Sequence, residues 1–140
     1  MSQVSVEQLT AMARDQVPMV GQLGLIVETL GDGEARVRCP FRDDFLRPGG
    51  TISGPVMMTM ADYAMYAAVL SRIGMVELAV TTNLNINFLR RPRPGDVLAE
   101  AKLLKLGQRL AVGEIALHVD NEEDLVAHVT ATYSIPPRNT

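Results

Sequence analysis

Residues 55–73 read PVMMTMADYAMYAAVLSRI, an apolar segment in which Asp62 is the most central charged residue. Pro55 suits the first turn of a helix and Gly74 suits its C-terminal cap, so the segment predicts one long helix. A helix that is apolar on every side must be buried. Membrane spans need about 20 apolar residues, but Asp62 and the strand-rich remainder of the chain favour a helix inside a folded domain.

Four long strands are predicted after Met75, because each run is continuously apolar or alternates with period two. They cover Leu78–Leu89, Val97–Leu106, Leu110–Asp120 and Leu125–Ile135. Upstream, alternation from Gln22 through a turn at Gly31–Gly33 predicts a β-hairpin that ends at Cys39. Tight turns between strands imply an antiparallel sheet, whose concave face only the apolar helix can cover. The predicted fold class is α+β, a curved six-stranded antiparallel sheet wrapped around a central helix.

The segments outside this core have weaker patterns. Ser5–Arg14 places apolar residues at helical spacing behind a Ser5 N-cap, which predicts a short amphipathic helix. Pro40–Ser53 is rich in Pro, Gly and charge and has no period, which predicts a long loop of the functional kind. A chain of 140 residues fits one domain. We expect a single domain over residues 1–140, with a helical segment over 1–20 and the core over 21–136.

Composition argues against several function classes. The net charge is −3, Trp is absent and aromatic residues make up 4% of the chain, so a basic or base-stacking nucleic-acid surface is not expected. One cysteine, Cys39, and two isolated histidines offer neither a disulfide nor a familiar zinc site. The N-terminus interleaves charged and apolar residues, unlike a secretory signal. We therefore expect a cytoplasmic protein with no metal, no nucleic-acid partner and no membrane partner.

Asp62 is the first candidate catalytic residue. Its neighbours one helical turn away are Met58, Thr59, Met65 and Tyr66, so the carboxylate lies in a mostly apolar stripe without a basic partner. Burying such a group is costly unless it is hydrogen-bonded. Asp62 either faces solvent, accepts hydrogen bonds from a loop, or serves a reaction in a cleft. We favour the last, because desolvated carboxylates in clefts are functional candidates.

The glycine-bearing loop before the helix is the second candidate feature. Gly49–Pro55, GGTISGP, leads directly into the helix N-terminus. Free N–H groups and the helix dipole there can hold a carbonyl oxygen that is becoming an oxyanion. Pro55 has no N–H, so the donor must be Gly54 or an amide of the following turn. A plain turn is the alternative interpretation.

Two further stretches carry polar candidates. In TTNLNINF, the apolar residues Leu84, Ile86 and Phe88 form one face, and the other face holds Thr81, Asn83, Asn85 and Asn87. We expect Asn85 and Asn87 to be solvated, and we expect the Thr81 hydroxyl to reach a site. A basic concentration follows, made of Arg90, Arg91, Arg93, Lys102, Lys105 and Arg109. Three arginines at a strand end suit a phosphate-bearing ligand, with a solvated turn as the alternative.

These stretches together resemble the hotdog-fold acyl-CoA thioesterases of the phenylacetate-pathway (PaaI-like) type. The resemblance covers Gln22–Pro136 and rests on RPGGTISGPVMMTMADYAMYAA, AVTTNLNINFLRRPRPGD and LLKLGQRLAVGEI. The family pattern has an Asn, a Gly three residues later, then His-Gly-Gly, and an Asp nine residues after the His. Aligned on Asp62, the chain keeps Gly50 and Gly54. It has Arg47 at the Asn, Ser53 at the His and Pro55 at the second Gly.

The resemblance implies hydrolysis without metal or cofactor, with coenzyme A as part of the substrate. The Gly54 N–H would polarise the thioester carbonyl, Asp62 would act as general base or nucleophile, and Thr81 would orient the water. Ser53 could hold a water or bond to the thioester. The candidate substrate contacts are Arg47, Gly50, Asn83, Arg90, Arg91, Arg93, Lys105 and Arg109. A non-catalytic acyl-CoA-binding protein is the competing interpretation.

Spacing along the helix predicts self-association. Gly54 precedes Asp62 by eight residues, about 12 Å at 1.5 Å per residue, so one carbonyl carbon cannot lie near both. A thioester held by Gly54 must meet the partner subunit's Asp62, which requires a two-fold pair with antiparallel helices. We expect Leu78–Leu89 to pair edge to edge across that interface. The resemblance implies a homodimer, often doubled into a homotetramer.

Overall fold

The computed structural model describes residues 1–137 and contains three α-helices. They are α1 (Val6–Gln16), α2 (Pro18–Leu23) and α3 (Gly54–Ile73). A capping box fixes the start of α1, where the Ser5 hydroxyl accepts from the Gln8 N–H at 3.0 Å and the Gln8 side chain accepts from the Ser5 N–H at 2.9 Å. Gly74 follows the last turn of α3, as predicted.

Six of the eight strands form one antiparallel sheet. The strands are β1 (Ile26–Leu30), β2 (Glu34–Cys39), β3 (Leu46–Arg47), β4 (Thr51–Ile52), β5 (Val80–Phe88), β6 (Val97–Leu106), β7 (Leu110–Val119) and β8 (Leu125–Ser134). The sheet order is β1-β2-β6-β7-β8-β5, while β3 and β4 form a separate small hairpin. Every pairing in the sheet is antiparallel. The short strand β1 and the nine-residue strand β5 are its two edges.

Helix α3 supplies the centre of the core and packs mainly on β2 and β6. Met60, Met65 and Leu70 on α3 are fully buried. A missing side chain at Gly113 on β7 allows this packing, since a Cβ there would lie 2.6 Å from the Met65 sulfur. The predicted fold class, a six-stranded antiparallel sheet around a central helix, is confirmed, and it is the hotdog fold. Cys39 is buried as a small hydrophobe, as expected.

Two segments differ from the sequence-based expectation. The predicted strand around Leu23 and Leu25 is wrong, because a second helix, α2, begins at Pro18 and the first strand begins only at Ile26. The predicted loop 40–53 contains a 3₁₀ turn and the β3–β4 hairpin, which turns through glycines with positive φ. Within residues 1–137, no helix is both long and apolar enough to cross a membrane.

Candidate active site

Asp62 is held by two hydroxyl groups from the sheet. The Thr81 hydroxyl donates to Asp62 Oδ1 at 2.6 Å, and the Tyr133 hydroxyl donates to the same oxygen at 2.7 Å. The Tyr133 hydroxyl also lies 3.0 Å from the Asp62 carbonyl oxygen. The half-buried carboxylate therefore has the hydrogen-bond partners that its apolar helix does not provide.

A β-bulge explains how Thr81 reaches the helix. Thr81 pairs with Tyr133 and Asn83 pairs with Thr132, so Thr82 is an extra residue in β5. The bulge reverses the alternation at this point, because side chains on a regular strand alternate strictly between faces. Thr81 therefore points inward, as Leu84 does, and the prediction that it shares a face with Asn83 is wrong.

The cleft beside Asp62 has a volume of about 280 Å³ and is lined mostly by apolar and aromatic side chains. One wall comes from the N-terminal helices, through Val17, Met19 and Val20. The lining also includes all three tyrosines of the chain, Tyr63, Tyr66 and Tyr133. Pockets of this kind, apolar with a few polar groups at fixed positions, are typical of small-molecule sites.

Burial keeps these three phenols protonated. It raises the pKa of Tyr63 and of Tyr66 to about 12. Burial raises the pKa of Tyr133 further, and the negative charge of Asp62 adds to the effect. Tyr133 therefore remains protonated, and a hydrogen-bond donor to the carboxylate, at neutral pH. The Tyr66 hydroxyl donates elsewhere, to the Glu77 carbonyl at 3.0 Å.

The N-terminus of α3 presents unoccupied donors. Gly54 is the first helical residue and Pro55 the second, so the N–H groups of Gly54 and Val56 have no acceptor within the helix. The N-cap side chain of Ser53 makes no capping hydrogen bond. Gly54 lies under the ring of Phe88, and a Cβ at this position would be 3.1 Å from Phe88 Cζ.

A second cleft, of about 480 Å³, opens at this helix end and carries basic residues on its rim. Gly54, Met57 and Phe88 line it together with Arg47, Arg90 and Arg91. Arg90 is paired with Asp124 at 3.0 Å. Within residues 1–137, Arg47 and Arg91 form no ion pair. The cleft thus combines the N–H of Gly54, which has no acceptor within the helix, with two uncommitted positive charges.

Other predicted site residues lie elsewhere in the protomer. Arg93 pairs with Glu122 in a separate depression. Lys105 lies near the end of β6 and Arg109 in the β6–β7 turn, whereas Arg90 follows the end of β5. Pairing through β8 and β7 puts the end of β5 level with the start of β6, so the two groups are separated along the strands by about 30 Å, the length of β6. The predicted single basic concentration is therefore wrong within one chain, because strand β6 separates its two halves.

Two more candidates are removed from both clefts. Asn83 is exposed on the outer side of β5, where its Oδ1 accepts from Asn85 Nδ2 at 2.8 Å. Gly50 has a φ of 73° and closes the β3–β4 turn, with its N–H donating to the Arg47 carbonyl at 3.0 Å. The position of Gly50 is thus explained by backbone geometry, and it shapes the loop that carries Arg47.

Tyr133 is the residue that sequence reasoning missed. It follows Ala127, Val129 and Ala131 on the inward face of β8, so its pattern indicates only core packing. One signal was available: a buried tyrosine hydroxyl usually needs a hydrogen-bond partner. No group of three or more His, Cys, Asp or Glu residues that could hold a metal occurs in the part of the chain that the structure describes.

Comparisons with known proteins identify the family of the chain. The family model of the Thioesterase superfamily matches residues 49–126. A Silicibacter sp. TM1040 structure named "putative thioesterase" is 42% identical, covers 98% of this chain and 95% of its own, and superposes with a TM-score of 0.88. Phenylacetic acid degradation protein PaaI from Thermus thermophilus is 30% identical, over 85% of this chain and 99% of that chain, with a TM-score of 0.75. A Halobacterium salinarum protein named "putative esterase" is 32% identical over 74% of this chain and 71% of its own.

Proposed function

Because the chain belongs to the Thioesterase superfamily and is a hotdog thioesterase of PaaI-like type, we propose that it hydrolyses acyl-CoA thioesters as a homodimer. The observation that carries the proposal is the division of the site along α3. Free N–H donors and a basic rim lie at Gly54, whereas the carboxylate and an apolar cleft lie at Asp62. Thioester hydrolysis needs both halves around one carbonyl carbon.

The chemical step divides between the two halves. The Gly54 N–H holds the thioester oxygen and stabilises the negative charge that develops on it. The partner subunit's Asp62 takes a proton from water, whose oxygen bonds to the carbonyl carbon, or attacks that carbon itself to form an acyl-aspartate anhydride, which water hydrolyses after the thiol has left. The carbon–sulfur bond then breaks, and the sulfur leaves with the electron pair and is protonated. Thr81 has lone pairs to orient the water, and neither a metal nor a cofactor is required.

The edge of the sheet supports this dimer. Among residues 1–137, strand β5 has no neighbour on its outer side, and Val80 and Phe88 at its ends, with Leu89 directly after it, are exposed apolar residues. Antiparallel pairing of two β5 strands extends the sheets into one. It places Phe88 and Gly54 of one protomer beside the end of β5 at which the partner's Thr81 and Asp62 lie. Doubling of the dimer into a tetramer remains a further prediction.

The positive charge of the basic rim is complementary to the negative phosphates of coenzyme A. Arg47 and Arg91 flank the Gly54 cleft without an ion pair in residues 1–137, and they are placed to meet phosphate groups.

The apolar walls of the Asp62 cleft then receive the acyl group. Met57 lines the Gly54 cleft, whereas Met60 and Met65 belong to the core. The methionine-rich stretch of α3 is therefore mainly packing.

Release of free thiol from a panel of acyl-CoAs tests the proposal. We expect turnover with at least one acyl-CoA, and weaker activity on the matching acyl pantetheine, which lacks the nucleotide phosphates. The alternative is a non-catalytic acyl-CoA-binding protein, which Ser53 favours because it stands where the family pattern has a His. Saturable acyl-CoA binding without thiol release across the panel would establish that alternative.

A further inference from the structure

We infer that Tyr133 is a positioning residue that fixes the reactive orientation of Asp62, leaving Oδ2 as the oxygen that does the chemistry. The inference rests on the proposed function, because it gives Asp62 the role of base or nucleophile. It adds Tyr133 from β8, which lies outside the three stretches that carry the resemblance.

The hydrogen bonds divide the two oxygens of Asp62. Both hydroxyl donors, Thr81 and Tyr133, address Oδ1, at 2.6 and 2.7 Å. In residues 1–137 no hydrogen bond uses Oδ2. An ionised carboxylate accepts at both oxygens, so Oδ2 keeps its full capacity to take a proton or to attack a carbonyl carbon in the cleft.

Tyr133 is the more rigid of the two donors. Its side chain is 3% exposed, and its ring packs against that of Tyr66 with centroids 6.2 Å apart. Its hydroxyl lies within hydrogen-bond distance of both Oδ1 and the carbonyl oxygen of Asp62. One buried phenol therefore contacts both the backbone and the side chain of Asp62, and this restricts the rotation of the carboxylate.

A hydroxyl-deletion control on the same strand separates positioning from general effects on β8. Tyr133→Phe keeps the ring and removes the donor, while Thr130→Val removes a hydroxyl from the exposed face of β8. We expect kcat of Tyr133→Phe to fall roughly ten- to hundredfold, the effect of losing one hydrogen bond to a charged group, with KM within about twofold. Thr130→Val should change kcat less than threefold. Equal losses in the two variants would overturn the inference.

A double-mutant cycle makes the test independent of folding losses. If Tyr133 acts through Asp62, then Tyr133→Phe should have no further effect on kcat in the Asp62→Asn background. Fully additive losses would contradict the inference. Thr81→Val removes the other donor to Oδ1 and should show the same lack of additivity, which keeps the test available should Tyr133→Phe fold poorly. Full activity of Asp62→Asn would instead refute the proposed function itself, so the two failures are distinguishable.

Discussion

The two clefts along α3 differ in almost every physical property. The Gly54 cleft is larger, about 480 against 280 Å³, and has exposed arginines and free backbone donors. The Asp62 cleft holds a carboxylate, two hydroxyl donors and buried aromatic rings. The first suits a polyanion and a developing oxyanion, and the second suits proton transfer next to an apolar group. Neither contains a complete hydrolytic site.

The contrast follows from the position of each cleft on one helix. A helix N-terminus offers donors and positive potential only in its first turn, so an oxyanion site must lie at Gly54. The first turn borders the Arg47 loop, whereas Asp62 in the middle of α3 faces a cleft lined by residues of β5, β8 and α2. A carboxylate there can be shielded and oriented by sheet hydroxyls. One protomer therefore separates two functions that a two-fold axis can bring together.

Replacing Asp62 should have the largest effect. Asp62→Asn preserves the shape of the side chain and can still accept hydrogen bonds from Thr81 and Tyr133, but it removes the base. We expect turnover to fall by about a hundredfold or more, with an unchanged melting temperature. Thiol release and thermal unfolding measure the two quantities. A well-folded variant with normal turnover would show that the Asp62 cleft has no role in the chemistry.

Removing the Gly54 N–H should lower turnover nearly as much as Asp62→Asn does. Gly54→Pro deletes the N–H, and the extended backbone of Ser53 is compatible with a following proline. We expect kcat to fall about a hundredfold, as for loss of one oxyanion donor. Gly54→Ala is the control, because it retains the N–H and its Cβ needs only a shift of the half-exposed Phe88 ring. Equal losses in both variants would show that space, not the donor, matters at this end.

Charge removal at the basic rim should affect binding and not chemistry. Arg91→Ala and Arg47→Ala should raise KM for acyl-CoA severalfold and weaken its dependence on salt, with kcat unchanged. Arg93→Ala is the matched control, since Arg93 pairs with Glu122 outside the cleft, and it should leave KM near the wild-type value. Steady-state kinetics at two salt concentrations measure KM, its dependence on salt, and kcat for each variant. The same rise in KM for an acyl pantetheine would contradict phosphate recognition.

The smallest expected effect concerns stability at high pH. The folded pKa values of Tyr63 and Tyr66, about 12, exceed the ordinary value of 10, so the unfolded chain loses protons first. Stability should therefore fall as pH rises from about 10 towards 12. Tyr63→Phe should reduce this fall, and Arg91→Ala at the other end should not. Urea unfolding at pH 8 and pH 11 measures the free energy of unfolding of each variant. The same loss of stability in Tyr63→Phe and in the wild type would contradict a raised pKa of Tyr63 in the folded protein.

The long helix and the strands were predictable because each has a strong period or a continuous apolar run. The positions of α3 and of β5 to β8 agree with the sequence pattern to within about two residues. Helix α2 was not predictable in this way, since its six residues are too few to show a period. Its omission concealed one wall of the Asp62 cleft, formed by Val17, Met19 and Val20.

The candidate site was predictable only in part. Asp62 and Gly54 stand out through local sequence, a charge in an apolar helix and a glycine at a helix start. The Thr81 contact depends on a bulge and the Tyr133 contact on pairing between β5 and β8, both of which are long-range features that no local pattern reveals. For the same reason, Arg90 and Arg109, which the sequence analysis grouped in one basic concentration, lie at opposite ends of the sheet.

Complementation between two inactive variants tests most directly whether the two clefts join across a dimer. A heterodimer of Asp62→Asn and Gly54→Pro chains has one site that keeps both native groups and one that lacks both. Subunit exchange in an equal mixture should therefore restore about a quarter of wild-type turnover, because half of the dimers are mixed and each has one working site. No recovery from heterodimers demonstrated by differential tags, or full wild-type turnover by a monomer, would contradict the account.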